Sequence, residues 1–161
     1  MNLIVNVSEN WAIGKGNSLL LHLSQDMKFF KAHTTGKTVV MGRKTLESLP
    51  GSKPLPNRKN IVLTRNTDYH PEGVTVYNSI DDFLADNPDT DNLYVIGGES
   101  LYRDLLPYCQ KAFVTKVDAM VDDADAFMVN LDSHPDWEIE DTGEELEEKG
   151  YTFRFVTYKK K

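Results

Sequence analysis

A chain of 161 residues with 40% hydrophobic and 27% charged side chains has room for one domain with a full apolar core and none for a second. Its net charge of −7 opposes a phosphate backbone and argues against nucleic acid as a partner, and no apolar run approaches the length a bilayer requires. The single cysteine, Cys109, excludes an intrachain disulfide and suits a reducing compartment.

In chain order, Leu3 to Val7 reads as a first strand rather than a signal peptide, since Met1 to Val7 has no basic start and no long apolar stretch, and the cytoplasm is the expected location. The glycine-bearing stretch Ile13-Gly14-Lys15-Gly16-Asn17 reads as a loop. A helix is predicted over Gln25 to Ala32 with Ser24 as its N-cap, then a strand over Thr38 to Met41 and a short helix over Thr45 to Ser48. Strands follow at Ile61 to Thr64 and Val74 to Tyr77, a helix at Ile80 to Ala85, and a strand at Leu93 to Ile96. The helix Ser100 to Leu106 is stopped by Pro107, and Ala112 to Val117 is the next strand. Trp137 to Asp141 and Tyr151 to Tyr158 alternate, with Tyr151, Phe153 and Phe155 on one side, which predicts an antiparallel hairpin at a sheet edge. Several earlier runs are apolar at consecutive positions, as befits parallel strands covered on both faces. The expected fold is therefore α/β: a single-domain, central, mostly parallel twisted β-sheet with an antiparallel C-terminal hairpin, flanked by about four helices. The acidic runs Asp81 to Asp91, Asp118 to Asp125 and Asp132 to Glu148 read as solvated loops, without the spacing of a metal site. Lys53, Arg58, Lys59 and Arg65 form a basic island able to receive an anion.

Asp26 is the acidic residue that the pattern places among apolar neighbours: Phe29 and Phe30, three and four positions on, share its helix face. A carboxylate so placed suits an amidine-like partner, although an acid in a first turn also complements the helix dipole. Two strands run into glycine turns and helices, Val40-Met41-Gly42-Arg43-Lys44-Thr45 and Val95-Ile96-Gly97-Gly98-Glu99-Ser100, and Arg65 follows the strand ending at Thr64. Such turns let backbone N–H groups approach a phosphate, though Gly-Gly after a strand is more often only a turn. If the strands are parallel, these ends converge on a groove for a polyanionic nucleotide.

With Pro54-Leu55-Pro56 and Arg58 added, the order and spacing of these motifs resemble dihydrofolate reductases of the chromosomal, bacterial-length type from end to end, residues 1–161 as one domain. The resemblance implies NADPH-dependent reduction of 7,8-dihydrofolate to tetrahydrofolate, feeding one-carbon and thymidylate metabolism, with hydride passing from nicotinamide C4 to pterin C6 and a proton to N5. It makes Asp26 the carboxylate for the pterin 2-amino group and N3, with Thr115 hydrogen-bonded to that carboxylate and to the pterin amino group. The backbone of Val5 and Ile96 faces the pterin edge, with Asn6 beside the pocket. Met27, Phe30, Leu49 and Leu55 would wall the pterin and aminobenzoyl rings, and Arg58 would grip the glutamate α-carboxylate, a bidentate task unsuited to lysine. On the cofactor side it names Asn6, and it places Ala12, Ile13, Gly14, Asn17, Ser18 and Leu19 on the loop over nicotinamide. Gly42, Arg43, Lys44 and Thr45 would form one phosphate wall, and Leu63, Thr64 and Arg65 the surroundings of the adenosine 2′-phosphate. Ile96, Gly97, Gly98, Glu99, Ser100, Leu101 and Tyr102 would line the pyrophosphate and nicotinamide. No metal is expected.

The chain departs from that pattern at Leu20-Leu21, where most members carry Pro-Trp, so that Leu21 keeps the wall but not the indole N–H near the pterin. Asn6 replaces a usual alanine, and Asp125-Ala126-Phe127-Met128-Val129 replaces Asp-Thr-Phe-Phe-Pro. Two alternatives stay open on sequence: a pyrimidine reductase of riboflavin synthesis, and a pterin- or nucleotide-binding protein without activity. A monomer that accepts antifolate inhibitors completes the expectation.

Overall fold

The computed structural model describes residues 1–15, 18–19 and 22–161, with side chains at 1–14 and 22–161. Its strands and helices are β1 (Asn2–Val7), β2 (Ala12–Lys15), β3 (Ser18–Leu19), α1 (Ser24–Thr34), β4 (Thr38–Gly42), α2 (Arg43–Ser48), β5 (Lys59–Leu63), β6 (Thr75–Tyr77), α3 (Ile80–Asp86), β7 (Leu93–Gly97), α4 (Glu99–Leu105), β8 (Lys111–Val117), β9 (Ala126–Phe127), β10 (Trp137–Thr142), β11 (Leu146–Glu148) and β12 (Tyr151–Lys160). The main sheet has the order β10-β12-β8-β1-β7-β4-β5-β6, and β11 pairs with β12. Pairings from β8 through β6 are parallel, while β12 is antiparallel to β8 and β10 to β12. The expected mixed α/β sheet with an antiparallel C-terminal pair and four α-helices among the described residues is what forms.

Consecutive apolar residues do cover both faces. In β4, Val40 packs into the larger core with Ile61, Val95, Phe83 and Leu105, whereas its neighbours Val39 and Met41 join Val62 and Leu46 of α2 on the other side. All of these are at most 1% exposed, so successive residues of the strand feed different cores. Pro107 ends α4 as expected, with a 3-10 turn over Leu106–Tyr108.

Two expectations are corrected. Ser24 is the first residue of α1 rather than its cap; Leu23 holds the cap position without a side-chain bond, and the carboxylate of Glu148 takes the N–H groups of Ser24 and Gln25. Tyr151, Phe153 and Phe155 do share one side of β12: Phe153 packs with Leu23 and Val117 and Phe155 packs against them, while Tyr151 is 37% exposed and Val156 and Tyr158, of the opposite alternation, enter the main core. Residues 12–15 and 18–19 are strands rather than loop, in a small sheet of order β3-β2-β9.

Candidate active site

Register across three strands builds the centre. Asn6 of β1 lies beside Thr115 of β8, and Thr115 beside Phe155 of β12, so three side chains form a row on one sheet face. Helix α1 lies over that row: Phe29 stacks on Phe155 with centroids 4.1 Å apart and planes 6° from parallel. One turn earlier, Asp26 receives the Thr115 hydroxyl on Oδ1 at 2.5 Å and the Asn6 amide on Oδ2 at 2.9 Å. Thr115 is 1% exposed, so its hydroxyl spends its hydrogen on Asp26 in a site shielded from water. The acid of the first turn is thus bound across to the sheet, beyond any service to the helix dipole.

Tyr102 of α4 belongs to the same centre. Its hydroxyl donates to the carbonyl of Ile4 at 2.8 Å, and burial, then the charge of Asp26, pushes its pKa far above the tyrosine range. Ile4 is absent from the sequence expectation, which named the neighbouring Val5; Val5 is buried, at 7% exposure.

At the carboxyl ends of the parallel strands, Val40 pairs with Val95 but Met41 with Gly97, which leaves Ile96 as the extra residue of a bulge. Gly97 has φ of +134° and is joined to Gly98 by a cis peptide. A Cβ on Gly97 would lie 3.4 Å from Thr45 Oγ1 and 3.7 Å from the Tyr102 hydroxyl, and one on Gly98 would lie 3.6 Å from the same threonine oxygen. The second glycine turn abuts the first, since a Cβ on Gly42 would stand 4.0 Å from the Gly97 carbonyl. Beside them runs a groove of about 660 Å³, lined by Gly42, Leu63, Thr64, Arg65, Ser100 and Leu101 of the expected set. Asn78, Ser79, Ile80, Asp81, Arg103 and Asp104 also line it and were not anticipated. Two of these were readable: Ser79 is the N-cap of α3, its hydroxyl taking the Asp82 N–H, and Arg103 is one helical turn after Ser100. Asn78 carries no such signal; its amide ties the carbonyls of Thr64 and Asn66.

The expected basic island resolves into two. Arg58 precedes β5 and Arg65 follows its end, which places a five-residue strand, about 16 Å at the usual rise, between them. Arg65 faces the groove; the Arg58 guanidinium is held by the Pro56 carbonyl at 2.9 Å and Thr34 Oγ1 at 3.0 Å. Partial burial lowers the pKa of Arg58, which stays a cation, and it joins no ion pair among the described residues. Its loop is shaped by Asn60, 3% exposed, whose amide takes the Leu55 N–H and donates to the carbonyls of Leu55 and Arg58. Leu49, Leu55 and Ile96 pack on one core cluster between this loop and β7, while Met27 stands 61% exposed on α1 and Phe30 is half-buried. Arg43 reaches Glu47 at 3.6 Å, and Lys44 is exposed.

Glu99 turns away from the groove: its carboxylate accepts the Phe127 N–H at 2.5 Å and so ties α4 to β9. Ile13 and Gly14 lie in β2, and Gly14 pairs with Leu19 and Ala126. Ser18 and Leu19 are placed as backbone in β3; Asn17, Leu20 and Leu21 lie outside the described residues.

A carboxylate bonded to neutral donors, with paired glycine turns and a groove that carries Arg65 and Arg103 beside Asp81 and Asp104 at the parallel strand ends, fits an α/β enzyme that holds a nucleotide beside a second, polar substrate. A family model described as dihydrofolate reductase matches residues 1–160. The dihydrofolate reductase of Neisseria meningitidis serogroup A is 39% identical over 158 residues, 98% of this chain and 96% of that one. That of Bacillus subtilis is 37% identical over 163 residues, 100% and 95% of the two chains. A solved structure of dihydrofolate reductase from Enterococcus faecalis, complexed with NADP(H) and RAB-propyl, superposes with a TM-score of 0.88 at 35% identity, covering 99% of this chain and 95% of that one. The chain belongs to the dihydrofolate reductase family, whose reaction is the NADPH-dependent reduction of dihydrofolate.

Proposed function

We propose that this site reduces 7,8-dihydrofolate to tetrahydrofolate with NADPH, and that Asp26 is the group that holds the pterin and manages its proton. The observation that carries this reading is the doubly bonded Asp26 carboxylate on the α1 face that meets β1 and β8. Donors from Asn6 and Thr115 fix its rotation and leave lone pairs on both oxygens for the pterin 2-amino group and N3. Thr115, its hydrogen given to Asp26, offers its own oxygen to the same amino group. The Ile4 carbonyl, already tied to Tyr102, and that of Ile96 in the bulge supply acceptors at the pterin edge. Phe30, Met27, Leu49 and Leu55 wall the rings, and Arg58 meets the glutamate α-carboxylate with its remaining N–H groups.

The residues fit NADPH. Side chains at Gly97 and Gly98 would stand against Thr45 Oγ1, and at Gly97 against Tyr102 as well, while Gly42 abuts the Gly97 carbonyl, and the 660 Å³ groove carries Arg65 and Arg103 for phosphate. Bound there, reduced nicotinamide supplies the hydride to pterin C6. Thr45 and the turn backbone orient the pyrophosphate, Arg65, Thr64 and Arg43 receive the 2′-phosphate, and Leu63, Ser100 and Leu101 line the adenosine side. Glu99 contributes through its main chain, because its carboxylate is committed to Phe127. Ile13 and Gly14, on β2 where Ala12 and Gly14 pair with β9, are the residues that close over the nicotinamide in this reading. Asp26 then promotes protonation of N5 through a water, so that one hydride and one proton balance the reaction.

No helix among the described residues is long and apolar enough to cross a membrane, and a cytoplasmic monomer open to antifolate inhibitors completes the proposal. The test is consumption of NADPH in the presence of dihydrofolate and, separately, of an aminopyrimidine ribitol phosphate. Turnover with dihydrofolate alone is expected; turnover with only the aminopyrimidine, or binding of dihydrofolate without oxidation of NADPH, contradicts the proposal.

A further inference from the structure

Helix α1 has no cap of its own. Leu23 makes no side-chain bond at the cap position, so the first N–H groups need an acceptor from elsewhere. Glu148 provides it: one carboxylate oxygen takes the Ser24 N–H at 2.6 Å, and the other takes the Gln25 N–H at 3.0 Å and the Ser24 hydroxyl at 2.9 Å. Beside it, the Gln25 amide donates to the Glu147 carbonyl at 3.2 Å and Lys149 Nζ to the His22 carbonyl at 3.0 Å. The N–H groups of Ser24 and Gln25, followed by their side chains, hold the Glu148 carboxyl down at about 2.

Glu148 is also rigidly placed. It pairs with Tyr151 across a two-residue turn in which Lys149 and Gly150 both have positive φ, 55° and 81°, the geometry of a tight β-hairpin. That hairpin leads into β12, whose Phe155 lies beside Thr115, and Thr115 donates to Asp26 two residues beyond Ser24. The path from α1 to β8, β12, β11 and back to α1 therefore closes on itself, with the Asp26 contact at one joint and Glu148 at another.

We propose that Glu148 is a positioning residue for the reductase reaction: by capping α1 from the β11–β12 hairpin it sets Asp26 against Thr115 and Asn6. The inference rests on the assignment of Asp26 to the pterin. Removing Glu148 frees the first turn of α1 to shift relative to β8, and a carboxylate displaced by a fraction of its hydrogen-bond length loses its alignment with the pterin. The groove along β4, β5 and α4 has no part in the closed path, so cofactor binding is untouched.

The experiment is a double-mutant cycle on the whole protein, with kcat measured at saturating NADPH and dihydrofolate and NADPH affinity measured by direct titration. Glu148→Ala is expected to lower kcat about tenfold and leave the NADPH dissociation constant within about twofold. Glu148→Gln, which keeps one acceptor and guards against a failure of the alanine variant to fold, is expected to lose about threefold. In an Asp26→Asn background either change should cost less than about twofold, because its effect runs through the missing carboxylate. An equal loss in both backgrounds, a matching loss of NADPH affinity, or unchanged kcat in the Glu148 variants overturns the proposal. Unchanged kcat in Asp26→Asn itself overturns the assignment of Asp26, and the role of Glu148 with it.

Discussion

At the scale of single residues, the site is a set of side chains held before any ligand arrives. Asp26 has both oxygens occupied by neutral donors, and Arg58 is braced by a carbonyl and a hydroxyl. Preorganisation of this kind keeps binding energy for the substrate. Arg58→Lys removes the planar fork while keeping the charge, and is expected to raise KM for dihydrofolate about tenfold with kcat nearly unchanged, read from steady-state kinetics. The pattern of Asp26 with Phe29 and Phe30 was legible in sequence because three- and four-residue spacing on a helix defines a face. The donor from Asn6 was not, since it depends on the register of β1 with β8, which no local pattern encodes. The same limit hid Ile4: which carbonyl Tyr102 reaches is a matter of how α4 docks, not of composition.

At the scale of elements, local signals found what local forces build. Short apolar runs marked the strands β1 and β4 to β8, and Pro107 marked the end of α4. The strands β2, β3 and β9 escaped because they are short and glycine-bearing and form by pairing with one another across most of the chain; Ala12 meets Phe127 only once the fold exists. Ser24 misled for a related reason: it has the chemistry of a cap, but Glu148 approaches from a distant hairpin and shifts the helix start by one residue. Gly97, at φ of +134°, is irreplaceable in its turn. Gly97→Ala is expected to cost about 1 to 3 kcal/mol of stability by denaturant titration and to weaken NADPH binding, because a residue with a Cβ rarely adopts this φ and the turn must shift to accept it, although the methyl itself would make only ordinary contact with Thr45 and Tyr102. The Glu148 strap has a pH signature. Its folded pKa, about 2, lies below the ordinary 4.5, so its stabilisation is full above 4.5 and is lost as pH falls toward about 2. The stability gap between wild type and Glu148→Gln should be present at neutral pH and close across that window, as followed by urea unfolding.

At the scale of the whole molecule, the sheet joins the proposed substrate half and the proposed cofactor half around β7 and β1. Cys109 reports on that unit. It is 0% exposed, and burial pushes its thiol up to about 12, so the folded protein presents almost no thiolate. Its labelling by a thiol reagent is expected to be slow and to slow further with NADPH, since a ligand that binds only the folded form stabilises it by about 2.7 kcal/mol at one hundred times its dissociation constant. Labelling indifferent to NADPH would mean that Cys109 opens locally, apart from the cofactor half.

The account turns on Asp26, and the most direct test is the ratio of wild-type to Asp26→Asn turnover as a function of pH, with NADPH and dihydrofolate saturating. If Asp26 manages the proton for N5, the ratio is about a hundred or more at neutral pH and shrinks as pH falls, because dihydrofolate then arrives protonated, while NADPH affinity and the fold are unchanged. A variant with near-normal turnover at neutral pH, or a ratio that stays constant as pH falls, would contradict the account.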